Sequence, residues 1–235
     1  MILLRSFLFT AAFYLWSAVM TLAYLPLFVL PRRVLTGGFT LWARGVVLLL
    51  RVVCDVRTEV RGREYTPKGG ALVASKHQCM FDFMIMYAIL PDACPVMKKE
   101  LGWIPIYNLY AWRSKVIVVD REGHSKALKK LMADAAERAA GSRQIVIFPE
   151  GTRKAPGAPP DYKVGIAGLY RDLNLPVTPI ATNSGSHWPA HGFLRRPGLI
   201  VYDILPPIEP GLKRGEFMRL LEDRVETASA ALLGL

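Results

Sequence analysis

Apolar residues are spread unevenly along this chain. One long uncharged run opens it, and short apolar runs alternating with helical stripes fill the rest. From Ser6 to Pro31 no residue carries a charge, about 26 positions against the roughly 20 that cross a hydrocarbon core. Arg5 precedes the run and Arg32 and Arg33 follow it, while Tyr14, Trp16 and Tyr24 are of the type that sits among head groups. The run exceeds the ~7–15 apolar residues of a cleaved signal peptide, so a retained membrane segment is expected. Gly37-Gly38 is expected to break the chain before a second apolar stretch, Phe39–Val53. Arg44 interrupts that stretch, which predicts an interfacial helix with Arg44 and Arg51 in the head groups rather than a second span. The first segment then either crosses the bilayer or bends at Pro26 and returns as half of a shallow hairpin.

Past residue 55 the pattern becomes that of an α/β domain. Strands are predicted at Ala71–Ala74, Val116–Val119, Ile145–Phe148, Val177–Thr182 and Leu199–Ile204. A helix is predicted from Ser125 to Ala140, with Leu128, Leu131, Met132, Ala135 and Ala139 on one face and Gly141 as its stop. Phe217, Leu220, Leu221, Val225, Ala228 and Leu232 mark a last amphipathic helix that packs on the sheet. The expected organisation is an N-terminal membrane-embedded helical segment over 1–54, then a mixed β-sheet flanked by helices over 55–235. No internal repeat is evident.

Charge adds a partner class. Thirty Lys and Arg against nineteen Asp and Glu in 235 residues give a net charge of +11. That favours an anionic partner, whether lipid head groups, an acidic carrier protein or nucleic acid, and charge alone does not choose among them. Three cysteines, Cys54, Cys79 and Cys94, without CxxC spacing argue against a disulfide framework and against a zinc site. A reducing, cytoplasmic setting fits them. The basic bulk after Pro31 places the main domain on the cytoplasmic side of a membrane.

Two segments carry candidate chemistry. In His77-Gln78-Cys79-Met80-Phe81-Asp82, five helical steps turn through ~500°, so the two ionisable ends do not meet on one continuous helix. If Ala71–Ala74 is a strand and Phe81–Leu90 a helix, His77 lies in the turn and Asp82 reaches back to an imidazole nitrogen. Asp82 then holds the tautomer and stabilises an imidazolium. Cys79 offers a rival, a thiolate with His77 as its base. The second segment is Phe148-Pro149-Glu150-Gly151-Thr152-Arg153. Pro149 ends a strand, Gly151 permits positive φ or close backbone approach, and Arg153 presents a fork that matches phosphate oxygens. Thr152 adds a hydroxyl; Glu150 either accepts from a sugar or glycerol hydroxyl or holds the arginine. Arg121 stands at another strand end, and Lys98 and Lys99 add cations. The Pro- and Gly-rich stretch Ala155–Pro160 is placed to act as a flap.

Together these segments resemble the 1-acyl-sn-glycerol-3-phosphate acyltransferase family of the glycerolipid acyltransferase superfamily. The family pattern reads here as His77…Asp82, Lys99-Glu100-Leu101, Val118-Val119-Asp120-Arg121, Phe148–Arg153 and the late strand around Pro176-Val177-Thr178-Pro179. Lys163, Gly165 and Asn183-Ser184-Gly185 also sit where such proteins place similar residues. Lys115 departs from the pattern, which often has glycine there. The resemblance implies transfer of a fatty acyl group from acyl-CoA or acyl-[acyl carrier protein] to the sn-2 hydroxyl of lysophosphatidate, forming phosphatidate in phospholipid biosynthesis. It implies His77 as general base with Asp82 orienting it, and no acyl-enzyme. Arg121, Glu150, Gly151, Thr152 and Arg153 would bind the glycerol phosphate, supported by Lys99 and Lys163. No cofactor or metal is expected, and the bilayer itself is an expected partner. The alternatives are acylation of another lysolipid such as a lyso-ornithine lipid, a thioesterase, or a membrane-tethered anion- or nucleic-acid-binding module. No nucleic-acid motif supports the last, and two phosphate arginines have little use in a thioesterase.

Overall fold

The computed structural model describes residues 1–100, 105–119 and 124–234. It opens with two helices of equal length, α1 (Ile2–Tyr24) and α2 (Arg32–Cys54), joined by a short 3-10 turn at Leu25–Val29. The chain therefore folds back as a hairpin. Gly37-Gly38 does not break it, contrary to the sequence expectation, and α2 runs straight through both glycines. The reason is packing: a Cβ on Gly38 would stand 2.3 Å from Cε1 of Tyr24, so the absent side chain is where the tyrosine ring of α1 sits. Trp16 lies likewise over Gly45 and donates its indole N–H to the Trp42 carbonyl at 3.0 Å. Trp42 answers with an indole bond to Ser17 Oγ at 3.0 Å. Inside an apolar hairpin such bonds remove the cost of burying an indole donor.

The hairpin is not a loose tether. Ala43, Val46, Leu50 and Cys54 recur on one face of α2 and share a core with the helix α3 (Met80–Ile89). Arg32 forks onto Asp92 with contacts of 2.8 and 2.6 Å, pinning the start of α2 to the domain. Arg113 donates to the carbonyls of Phe28 and Leu30 and pins the turn. On the outer side Leu3, Leu4, Phe7, Leu8, Leu15 and Leu22 stay exposed, a continuous apolar surface of the kind a bilayer covers.

The remaining chain forms one seven-stranded mixed sheet of β1 (Val56–Arg61), β2 (Ala71–Ser75), β3 (Ala93–Lys98), β4 (Ile117–Val119), β5 (Gln144–Ile147), β6 (Val177–Thr182) and β7 (Gly198–Ile204), in the order β1-β7-β6-β2-β5-β3-β4. All neighbours run parallel except β6 and β7. The predicted strands are present. The sequence pattern had missed β1, a charged edge strand reading Val-Arg-Thr-Glu-Val-Arg, and β3, which carries Pro95. Successive residues of the central strands feed opposite cores. Val73 and Val146 face the hairpin side, and Leu72, Ala74 and Ile145 face the other. Strands buried on both faces read as unbroken apolar runs, which is why the central ones were legible.

The second face is covered by α5 (His124–Ala140), α6 (Gly165–Leu173) and α8 (Arg214–Leu233), with α4 (Pro105–Arg113) and the one-turn α7 (Ser184–His187) completing the set. Phe217, Leu221 and Val225 of α8 bury at four-residue spacing, and Phe217 stacks on Tyr170 of α6 at 3.9 Å. Because β2, β3, β5 and β6 are parallel, their carboxyl ends gather along one edge, where ligand groups collect in α/β sheets.

Candidate active site

At that edge β2 ends in Ser75, and Lys76 extends its ladder, its amide N–H donating a hydrogen bond to the Ile180 carbonyl at 2.9 Å. The chain then turns and starts α3, with Cys79 as N-cap and Asp82 in the first turn. Asp82 Oδ2 accepts the Cys79 amide at 2.7 Å and the Gln78 amide at 2.6 Å, the carboxylate half of a capping box. Helix capping thus decides where Asp82 stands. The same oxygen lies 3.2 Å from His77 Nδ1, and the carboxylate is fully buried. Burial pushes the Asp82 carboxyl up, but the bonds and charge of His77 and the Cys79 amide outweigh it and hold Asp82 below the usual carboxylate range. An ionised Asp82 accepts a hydrogen bond from Nδ1–H, which keeps the proton on Nδ1 and leaves Nε2 with a lone pair, the state of a general base.

Two further contacts hold this pair. The imidazole stacks on Phe148, ring centroids 4.0 Å apart at 24°, and keeps 14% of its side chain exposed. The Tyr202 hydroxyl of β7 donates to Asp82 Oδ1 at 2.8 Å. Cys79 is fully buried, and burial followed by the Asp82 charge pushes its thiol well above the ordinary range. A thiol so placed is not a nucleophile, so the route through Cys79 has no support.

The second motif lies against the first. Gly151 takes φ +66° and bonds back to the Phe148 carbonyl at 2.9 Å, which only glycine does without strain. Three residues on, the Lys154 amide donates to the His77 carbonyl at 2.9 Å, and the Lys163 amide returns to the Pro149 carbonyl at 2.9 Å. Arg153 is therefore one residue from a direct backbone contact with His77. Thr152 and Arg153 are exposed, as residues meeting a ligand in solution or at a membrane would be. Pro156 packs at Gly185, where a Cβ would come within 2.9 Å of both Pro156 and Gln78. The stretch over 151–163 is thus laid on the histidine turn.

Glu150 is placed differently from the expectation of a carboxylate open to a ligand or paired with the arginine. It is 1% exposed and its Oε1 accepts from Lys76 Nζ at 2.9 Å. Lys76, itself 2% exposed, also bonds both oxygens of Glu226 at 2.8 Å, and Tyr162 donates to the same Glu226 at 2.9 Å. Burial pushes Glu150 up and Lys76 pulls it back. Glu150 thus serves an internal ion cluster that ties the histidine turn, the β5 loop and α8 together. Lys163 pairs with Asp161 at 2.6 Å on the surface, and Lys99 is exposed. Arg121, with Asp120 and Leu101, lies outside the described residues. Lys76 and Phe148 abut the motifs and were findable; nothing in the linear pattern marks Tyr162, Tyr202 or Glu226.

A cavity of about 530 Å3 opens between the hairpin, α3 and α4, lined among others by Tyr14, Leu35, Phe39, Phe83, Tyr87 and Tyr110. Among the described residues no group of three or more His, Cys, Asp and Glu side chains comes together to hold a metal ion.

Residues 57–183 match the family model described as Acyltransferase. A 1-acyl-sn-glycerol-3-phosphate acyltransferase of Pseudomonas aeruginosa is 33% identical over 189 residues, 80% of this chain and 72% of that protein. The alpha form of Mus musculus is 30% identical over 70% of this chain, and the stretch spans 59% of its length. The crystal structure of the 1-acyl-sn-glycerophosphate (LPA) acyltransferase from Thermotoga maritima superposes with a TM-score of 0.83. It covers 100% of this chain and 99% of that one at 22% identity, a likeness of fold.

Proposed function

The chain belongs to the 1-acyl-sn-glycerol-3-phosphate acyltransferase family, and from that membership we propose that it moves a fatty acyl group from a thioester to the sn-2 hydroxyl of lysophosphatidate. The observation that carries this reading is the His77–Asp82 pair with Arg153 one residue from its backbone contact. His77 Nε2 takes the proton of the sn-2 hydroxyl as the oxygen attacks the thioester carbonyl. The thiolate of coenzyme A or of the carrier's pantetheine leaves, and the imidazolium protonates it. Asp82 stabilises that imidazolium and holds the tautomer. Arg153 grips the phosphate, with Thr152 beside it and Arg121 as an expected partner.

The hairpin supports the same reading by magnitude. Lifting a sixteen-carbon chain from a bilayer exposes about 14 methylenes at ~0.8 kcal/mol each, roughly 11 kcal/mol. An enzyme with an apolar hairpin in the bilayer, and an apolar cavity between that hairpin and its domain, keeps much of that chain out of water. The basic domain then stands on the cytoplasmic face, where donors are acyl-CoA or acyl-acyl carrier protein.

The test is to present purified protein with lysophosphatidate and each thioester in turn and identify the lipid formed. Phosphatidate from either donor is expected. Acylation of lyso-ornithine lipid in preference to lysophosphatidate, or release of free fatty acid without lipid product, would overturn the assignment.

A further inference from the structure

The two oxygens of Asp82 are used unequally. Oδ2 holds the turn and His77, with amides of Gln78 and Cys79 at 2.6 and 2.7 Å. Among the described residues Oδ1 accepts from the Tyr202 hydroxyl at 2.8 Å and from the Cys79 sulfur at 3.6 Å, and the Ser184 side chain lies against both Asp82 and Tyr202. Tyr202 is fully buried on β7, 120 positions from Asp82, its ring set edge-on to Phe81 at 5.9 Å. Burial, then the Asp82 charge, drives its phenol well above the usual tyrosine range, in keeping with a hydroxyl that donates to the carboxylate. A hydrogen bond to a carboxylate draws on charge the imidazolium also uses.

We propose that Tyr202 is a positioning residue for the candidate dyad, orienting the Asp82 carboxylate and, by sharing its charge, setting the proton affinity of His77. The inference rests on His77 acting as the base. With Tyr202 present, Asp82 is a weaker partner for the imidazolium than a carboxylate with Oδ1 unoccupied. Among the described residues the other charged groups near this turn are Lys76, Glu150 and Glu226 behind it, Arg153 and Lys154 on the covering loop, and Arg195 beyond Cys79. None of them bonds Tyr202, so a change confined to its hydroxyl leaves them in place.

The experiment uses full-length, detergent-solubilised protein with labelled histidines, His77→Gln assigning the resonance. In Tyr202→Phe the His77 pKa should rise by about half to one unit, and the acid limb of kcat/KM should follow it. kcat should fall about 5- to 30-fold while KM for both substrates stays within twofold. Global 3-fluorotyrosine, a stronger donor, should lower the His77 pKa, and it carries the test should Tyr202→Phe not fold. An unmoved His77 titration in a folded Tyr202→Phe protein, or an unchanged or raised value with fluorotyrosine, would overturn the proposal. The titration needs no substrate, so a protein that makes no phosphatidate defeats the function reading without touching the measured coupling.

Discussion

Replacing Lys76 by methionine tests the buried ion cluster, because methionine keeps most of the volume and removes only the charge. Lys76 and Glu150 are 2% and 1% exposed, whereas Glu226 is 26% exposed. With the ammonium gone Glu226 can turn to water, so nearly all the penalty falls on Glu150. It then either stays ionised and unpaired, at about 3–5 kcal/mol for a broken buried pair, or takes up a proton. Protonation at pH 7 of a group with an unfolded pKa near 4.3 costs about 1.36 kcal/mol for each of about 2.7 units, roughly 3.7 kcal/mol. The cheaper course caps the loss at about 3–4 kcal/mol. The sign with pH follows from linkage. A carboxyl whose folded pKa is raised above its unfolded value destabilises only above the unfolded value, so the penalty vanishes near pH 4 and grows by about 1.4 kcal/mol per unit above it. Because Glu150 is already held above its usual range beside Lys76, urea denaturation in detergent, followed by tryptophan fluorescence, should give a deficit of up to about 3.7 kcal/mol at pH 7 and up to about 1.6 at pH 5.5. Adding Glu150→Gln to Lys76→Met should shrink the deficit to about 1 kcal/mol at both pH values. A pH-independent deficit, or one below about 1 kcal/mol at pH 7, would show that Glu150 does not depend on Lys76.

Other expectations concern single contacts. His77→Gln should lower turnover by at least about 10²–10⁴-fold with an unchanged melting temperature; retained activity would remove the base assignment. Arg153→Ala should raise KM for lysophosphatidate about tenfold or more, the loss of a charge-assisted fork, and leave KM for the thioester unchanged. An effect confined to the thioester would place the arginine elsewhere. Cys79→Ala should keep activity within about tenfold, since its thiol is held protonated, caps α3 and makes only a long 3.6 Å contact to Asp82 Oδ1. Complete loss with a normal fold would revive the thiol route. Gly38→Ala should destabilise by about 1–3 kcal/mol because its Cβ meets the Tyr24 ring, and Tyr24→Ala should relieve much of that in the double variant.

Much of the fold was legible because buried parallel strands write themselves as apolar runs: Val177–Thr182 was predicted to the residue. The elements that escaped did so for stated reasons. Charged β1 has an edge to spare, β3 tolerates Pro95 where its pairing with β5 ends, and α6 reads too short for a clear stripe. The hairpin was half legible. Its apolar length was evident, but two adjacent glycines look like a break until a tyrosine from the other helix is seen to fill the gap.

The linear order of residues determined the local chemistry: a histidine and an aspartate separated by one turn, and an abrupt Phe-Pro-Glu-Gly-Thr-Arg strand end. Short-range geometry suffices there, since capping at the start of α3 puts the carboxylate beside the imidazole. Tertiary structure alone decided which groups serve the interior. Glu150 looked like a ligand residue and became the partner of Lys76, 74 positions away, while Tyr202 and Glu226 arrived from strands and helices far along the chain. Contacts of that kind depend on sheet order and on what a low-dielectric interior demands of every buried charge, and neither leaves a period or a motif in the sequence.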